Sequence, residues 1–222
     1  QLSLGQFGFS PFWARKRMYL FNARSEGDAN KSNDPEYTGG KGIISKPAFR
    51  NSIRNKRCLI IADAFIEGST NERLEKPYLV YLRNKQRPFA FAGIYDDFVD
   101  ADTGEIIVTY AIITTTANKL IQGIPHHRSP VILRPQHEKL WLNEKTPLTD
   151  ITNLLRPFPT EDMNAYPISK AIKNPNAEGK ELIISTGKRL EPESEIRFTT
   201  KHKLFGMGHS PSRDRKNENE TK

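Results

Sequence analysis

The sequence predicts an α+β domain built around a curved, mixed β-sheet with short helices at its edges. Three observations carry this expectation. Runs of β-branched and aromatic residues dominate, the helical candidates are short, and no strand–helix–strand rhythm recurs along the 222 residues. That length allows one sizeable core with a loose end, but hardly two full domains.

In chain order, Gln1 to Ala14 is aromatic and turn-rich, and Met18 to Phe21 reads as a short strand leading into Asn22-Ala23-Arg24-Ser25-Glu26. Gly27 to Gly42 is a polar excursion, with Asp34-Pro35 and Gly39-Gly40 as turn signals. Strands are predicted at Arg57–Ala62, Tyr78–Leu82, Phe89–Tyr95 and Ile106–Thr114, and Asp100–Gly104 makes a hairpin turn between the last two. Thr115 or Thr116 is placed to cap a helix through Leu120 and Ile121 that ends near Gly123. Pro135 suits the first turn of a helix carrying Leu140 and Trp141. Leu148–Leu155 and Glu161–Ala165 are short helical candidates, and Glu181–Ile184 is a possible closing strand. The expected division is a folded domain over 1–186 and a polar, disordered tail over 187–222.

Hydrophobic residues make up 36% of the chain and charged residues 27%, a balance that suits a globular protein rather than a disordered one. No apolar run approaches the roughly 20 residues that cross a bilayer, and the first ten residues lack a signal-peptide pattern. No membrane association and a cytoplasmic location are therefore expected, with nucleoid association if the source is bacterial. The one cysteine, Cys58, lies in the apolar stretch Arg57–Ile61 and reads as a small core residue rather than a reactive thiol.

A net charge of +8 favours a polyanionic partner without naming it. Placement is more informative. Ser45 to Arg57 holds Lys46, Arg50, Arg54, Lys56 and Arg57 with no acid, while Arg15, Lys16 and Arg17 follow the aromatic pair Phe12-Trp13. Cations interleaved with aromatics suit a groove that tracks a nucleic-acid strand, although a solvated charged face reads the same way.

Several residues are candidates for chemistry. Glu67 follows an apolar strand and the turn-like Ala62–Phe65; beside an apolar wall its carboxyl serves as an acid or base, and otherwise it is an exposed turn residue. His126 stands between Pro125 and Pro130 on restrained backbone, which helps aim a proton-transfer group. Arg128 suits a phosphate or carboxylate. His126 and His127 should point to opposite faces of an extended segment, and no carboxylate lies at helical spacing, so no metal site or other cofactor is expected. Asn22 and Arg24 share one face of an extended tripeptide, a pairing that suits sugar or phosphate.

Taken in order, these pieces resemble the SOS response-associated peptidase (SRAP) family. The resemblance runs through Gly8–Ala14, Asn22–Glu26, Lys46–Arg50, Lys56–Gly68, Phe89–Tyr95, Ile112–Asn118, Ile124–Leu133 and Met163–Ser169, and covers roughly Gly5 to Ile184. It implies a mixed sheet curled into a pseudo-barrel, acting as a monomer. The implied partner is single-stranded DNA, or a junction with a single-stranded arm, containing abasic sites. The implied chemistry is capture of the abasic aldehyde by an N-terminal cysteine, whose amine forms a Schiff base and whose thiol then closes a thiazolidine. By position, Asn22 would orient the reacting groups, Glu67 would move protons, and His126 would assist ring opening or proton transfer. Phe12 and Trp13 would lie against bases, Arg24 and Arg128 would hold phosphates, and Thr115 belongs to the DNA-contacting set.

There are departures from the pattern. The family begins Met-Cys-Gly-Arg, whereas this chain begins Gln1-Leu2-Ser3-Leu4, so the polypeptide as written is expected not to form the thiazolidine. A fragment, a late start or a binding-only relative would each explain this. Ile66 and Gly68 stand for a usual tyrosine and tryptophan, and His127 for a usual acid, which leaves the partner of Arg128 open. Two alternatives to capture follow. One is a non-catalytic single-strand-binding module; the other is a peptidase acting beyond its own leading methionine, for which no Ser-His-Asp arrangement is evident.

Overall fold

The longest apolar runs of the sequence pair with each other. In the computed structural model, which describes residues 2–83 and 88–193, β6 (Phe89–Val99) and β7 (Ile106–Thr116) are antiparallel from Gly93↔Ile112 to Val99↔Ile106. Their turn is the expected one. The Asp100 amide donates to the Glu105 carbonyl at 2.9 Å, and Gly104 takes a φ of 73° that a side chain would resist. β3 (Arg57–Ala62) adds antiparallel to β6, where Gly93 faces Cys58 because a Cβ there would lie 2.5 Å from Ile60 Cδ1.

β1 (Gln6–Phe7) and β2 (Asn22–Arg24) run parallel to β7. β8 (Arg128–Pro130) pairs with β7, and β9 (Ile132–Leu133) with β6. Together these make a seven-stranded mixed sheet. A second, three-stranded antiparallel sheet has the order β10-β5-β4, from β4 (Phe65–Ser69), β5 (Arg73–Leu82) and β10 (Met163–Pro167). The mixed α+β class is as expected, and the large sheet is not closed.

Alternation along β6 explains why its sequence is apolar almost throughout. Ala92 and Ile94 face a core with Phe9, Ile53, Trp141 and Leu155. Phe89 and Phe91 point the other way, into a core with Val80, Ile121, Ile124 and Met163. Helices α1 (Ser52–Asn55) and α3 (Pro135–Leu142) pack on β3 and β6, with Pro135 in the first turn as predicted. α4 (Leu148–Asn153) buries Ile151 in the Trp141 core.

Arg57, read as part of a basic groove, is 8% exposed and serves the core. Its guanidinium donates to the Ile53, Trp141 and Asn143 carbonyls at 2.9, 2.6 and 2.8 Å, satisfying the ends of α1 and α3. Lys56 pairs with Asp96 and Asp97, and Arg54 bonds the Ile44 carbonyl. Three of the five cations in Ser45–Arg57 are thus held by the fold.

Four element predictions fail for identifiable reasons. Thr115 and Thr116 continue β7, and the cap of α2 (Lys119–Gln122) is Asn118, whose side chain accepts from the Ile121 amide at 3.0 Å. Met163–Pro167 is a strand rather than helix because β5 supplies its partner from Tyr78 to Leu82. Glu181–Ile184 falls on a 3₁₀ turn, Lys180–Ile183. Met18–Phe21 is not a continuous strand: Leu20 bridges Phe9, and the Phe21 carbonyl accepts from the Ile112 amide at 3.2 Å before β2 begins. Gln1–Glu191 form one compact unit, with Leu190 and Glu191 still bonded to β10. From residue 194 onward the expected tail lies outside the described residues.

Candidate functional site

β4, which begins at the end of the turn-like Ala62–Phe65, carries Glu67 opposite Tyr78 and beside a register shift between Glu67 and Ser69. Its carboxylate lies 3.5 Å from His126 Nδ1, with side-chain exposures of 19% and 22%. Burial pushes the Glu67 carboxyl above its ordinary value, and the His126 charge and the Gly68 amide pull it part of the way back.

His126 is fixed by its neighbours. The Thr70 amide holds the Pro125 carbonyl at 3.1 Å, and His126 Nδ1 lies 2.9 Å from the Arg128 carbonyl. A carbonyl only accepts, which assigns the ring hydrogen to Nδ1; the 3.4 Å approach of the Arg128 amide to the same atom is the weaker contact. Nε2 is then left as the basic nitrogen. The chain bends here rather than extending, so His127 stacks on His126 at 5.2 Å and 24° instead of facing away. His127 Nδ1 meets the Thr70 hydroxyl at 2.7 Å. Burial, followed by the charges of His126, Arg128 and Arg24, lowers its pKa.

The Asn22-Ala23-Arg24 tripeptide is β2, and its period of two buries Ala23 while Asn22 is exposed. The excursion over 27–42 folds back on Arg24, whose Nη2 donates to the Asn30 carbonyl and to Asn33 Oδ1 at 2.8 Å. Two glycines close its neck, since a Cβ on Gly42 would stand 2.5 Å from the Glu26 carbonyl oxygen. A shallow cavity of about 200 Å³ lies between this loop and the histidines, lined by Asn33, Pro35, Gln122, His126 and His127 among others.

The residue that sequence reasoning missed is Glu26. It is fully buried; Oε1 accepts from the Ser25 and Thr115 hydroxyls at 2.8 and 2.9 Å, and Oε2 accepts from Arg128 Nη2 at 2.8 Å. Burial alone would raise its pKa, but the Arg128 charge, with the hydrogen bonds, brings the carboxyl below its ordinary value. The partner of Arg128 left open by the sequence is therefore this carboxylate.

Two of the expected DNA contacts change character. Thr115 is fully buried with its hydroxyl on Glu26, so it does not face a strand laid on the surface. Arg128 is 9% exposed, and its Nε and Nη1 are buried without a hydrogen-bond partner among the described residues. Phe12 and Trp13, in contrast, are 54% and 49% exposed on a loop tip. Among the described residues, no group of three or more His, Cys, Asp or Glu is arranged to hold a metal. Burial pushes the Cys58 thiol up to about 12. Native protein should therefore resist a thiol reagent near pH 8 and react once unfolded; rapid labelling of the folded chain would show the thiol to be accessible as thiolate.

This fold, with a shielded carboxylate beside a fixed histidine and an aromatic loop tip, belongs to a known class: residues 1–175 match the SOS response associated peptidase (SRAP) family, and the chain is a member of it. Among its relatives, abasic site processing protein YoqW of Bacillus subtilis is 35% identical over 187 residues, spanning 81% of this chain and 75% of that protein. Abasic site processing protein HMCES of Gallus gallus is 26% identical over 183 residues, spanning 73% and 53% respectively. A crystal structure of a protein from Bacteroides thetaiotaomicron superposes with a TM-score of 0.67 at 32% identity, covering 80% of this chain and 73% of that one.

Proposed function

We propose that this chain binds single-stranded or junction DNA as a monomer at abasic sites and that, in its complete form, it captures them covalently through an N-terminal cysteine. The observation that carries the reading is the 3.5 Å pair of a shielded Glu67 and His126. Capture needs proton carriers. The cysteine amine adds to the aldehyde carbon, a proton moves from nitrogen to oxygen, and water leaves to give the Schiff base. The thiol then adds across C=N, sulfur to carbon and proton to nitrogen. Glu67, ionised, takes the proton from the amine and returns it to the departing hydroxyl. His126 Nε2 serves the sugar oxygen during ring opening. Asn22, exposed on β2, orients the reacting groups, and Phe12 and Trp13 stack on bases. The work belongs in the cytoplasm, on the nucleoid in a bacterium.

The test is a denaturing-gel assay on an abasic single-stranded oligonucleotide, comparing this chain with a version whose native upstream sequence is restored. A shifted band from the restored protein alone supports capture. Binding by both with no band supports the single-strand-binding module instead. A band from the 222-residue chain itself would mean that another nucleophile is at work.

Arg24 carries a separate expectation. Its Nη2 is held by the excursion loop, so its charge is fixed in place. Arg24→Ala should weaken binding to undamaged single strands and lower the salt slope by about one. An unchanged slope in fluorescence-anisotropy titrations would remove Arg24 from the phosphate contacts.

A further inference from the structure

We infer that Asp96 is a positioning residue that holds the Phe12–Trp13 loop tip in the pose that meets nucleobases; this rests on the DNA-binding reading above. The Asp96 side chain, on β6, is 2% exposed, a burial that carboxylates accept only when paired. Both of its oxygens accept hydrogen bonds. Oδ1 accepts from Lys56 Nζ at 2.8 Å and from the Asp97 amide at 3.0 Å. Oδ2 accepts from the backbone amide of Phe12 at 2.9 Å. A buried charge is thus committed to the main chain of a residue whose own ring is 54% exposed.

The rest of the loop is fastened at the same level. Phe9 and Leu20 exchange backbone hydrogen bonds of 2.9 Å, closing the neck. Ser10 donates its amide to Thr109 Oγ1 at 2.9 Å, the Thr109 hydroxyl reaches back to the Ser10 carbonyl at 3.1 Å, and Ser10 Oγ accepts from the Met18 amide at 2.9 Å. Thr109 stands opposite Asp96 across the β6–β7 ladder, so both anchors rise from one register position. Beyond them, the tip makes its own turn, with the Ala14 amide on the Pro11 carbonyl at 2.9 Å. Only there do Phe12, Trp13, Arg15 and Lys16 emerge into solvent.

The arrangement fixes the backbone that carries an aromatic platform and leaves Phe12 and Trp13 about half exposed to solvent. Closing a loop requires the Phe9–Leu20 and Ser10–Thr109 bonds. A further buried carboxylate reaching the tip makes sense when the tip itself must be rigid. A rigid aromatic binds a base with less ordering cost than a mobile one, so the effect of Asp96 falls on stacking affinity and not on charge.

The experiment uses the full chain labelled with 5-fluorotryptophan, which gives separate ¹⁹F signals for exposed Trp13 and fully buried Trp141. It is combined with anisotropy titrations on a single-stranded oligonucleotide. Asp96→Ala is expected to sharpen the Trp13 signal through faster local motion, leave Trp141 in place, and weaken binding about three- to tenfold with an unchanged salt slope. Asp96→Asn, which keeps an oxygen for the Phe12 amide, should retain most of the affinity. Should Asp96→Ala move the Trp141 signal, Asp96→Ser carries the same comparison with less disturbance. Wild-type affinity in the truncated variant with an intact Trp141 signal overturns the inference. Trp13→Ala binding as tightly as wild type overturns it from the other side, because no stacking is then served, and leaves Arg24-dependent binding standing.

Discussion

Glu67→Gln, placed in a protein that carries its N-terminal cysteine, should slow crosslinking to an abasic strand by about 10²-fold or more while leaving affinity for that strand within about twofold. Glutamine keeps the shape and the hydrogen bond from Gly68 but cannot carry a proton. The environment of Glu67 is unlike that of a surface carboxylate: burial raises its pKa, and the nearby His126 only partly restores it. If Glu67 acts ionised, as base toward the incoming ammonium, the wild-type rate falls as pH drops through this raised pKa. That fall begins above the ordinary carboxylate range, and the glutamine variant should lack it. Stability runs the other way. The folded state holds this proton more tightly than the unfolded chain does, so the group favours folding at low pH. That contribution is withdrawn as pH rises through the folded pKa. At neutral pH, Glu67→Gln should therefore melt no lower than wild type, and even higher. Single-turnover gels and thermal melts over pH check both halves. A glutamine variant that crosslinks at the wild-type rate removes Glu67 from the chemistry.

What the sequence disclosed and what it withheld divide along a physical line. Arg57–Ala62 was legible to the residue, because an apolar run flanked by charge reads as a buried strand whatever it pairs with. Asp100–Gly104 and Pro135 were legible because turn and helix-start chemistry is local. Met163–Pro167 was not, since its extended form comes from β5, some eighty residues away in sequence (Met163 pairs with Leu82). Glu67 and His126 were found separately, and only the fold brings them to 3.5 Å. Thr115 carried a polar side chain and so looked like a cap or a contact; its hydroxyl instead serves a buried carboxylate. Glu26 was invisible for a related reason. A glutamate reads as surface until cations are supplied, and here they are Arg128, 102 positions further on, and Lys41, whose Nζ lies 3.7 Å from Oε1. Charge in a sequence carries no address.

That pair sets the second large expectation. Glu26→Ala should cost about 3–5 kcal/mol at neutral pH, because it leaves the Arg128 guanidinium buried without its counter-charge. Few single changes in a domain of this size would cost more. The Ser25 and Thr115 hydroxyls would also lose their acceptor, whereas Glu26→Gln keeps an oxygen for them and isolates the loss of charge. The pH dependence follows from the depressed carboxyl of Glu26. Its contribution is fully present above the unfolded pKa and is lost as pH falls through the lower folded one, so wild type and variant should converge in acid. Replacing both partners, Glu26→Leu with Arg128→Met, should recover most of the stability, since a buried pair barely outweighs its own desolvation. Denaturant unfolding of the four proteins measures this coupling, and additive losses would mean that the pair contributes nothing specific. The recovered double variant is also the sharpest probe of purpose. It restores the fold without Arg128, whose Nε and Nη1 are buried without a hydrogen-bond partner among the described residues. If it folds and still binds abasic DNA as wild type does, the pair is architecture alone; if it folds and fails to bind, Glu26 is there to hold a guanidinium ready for the phosphate.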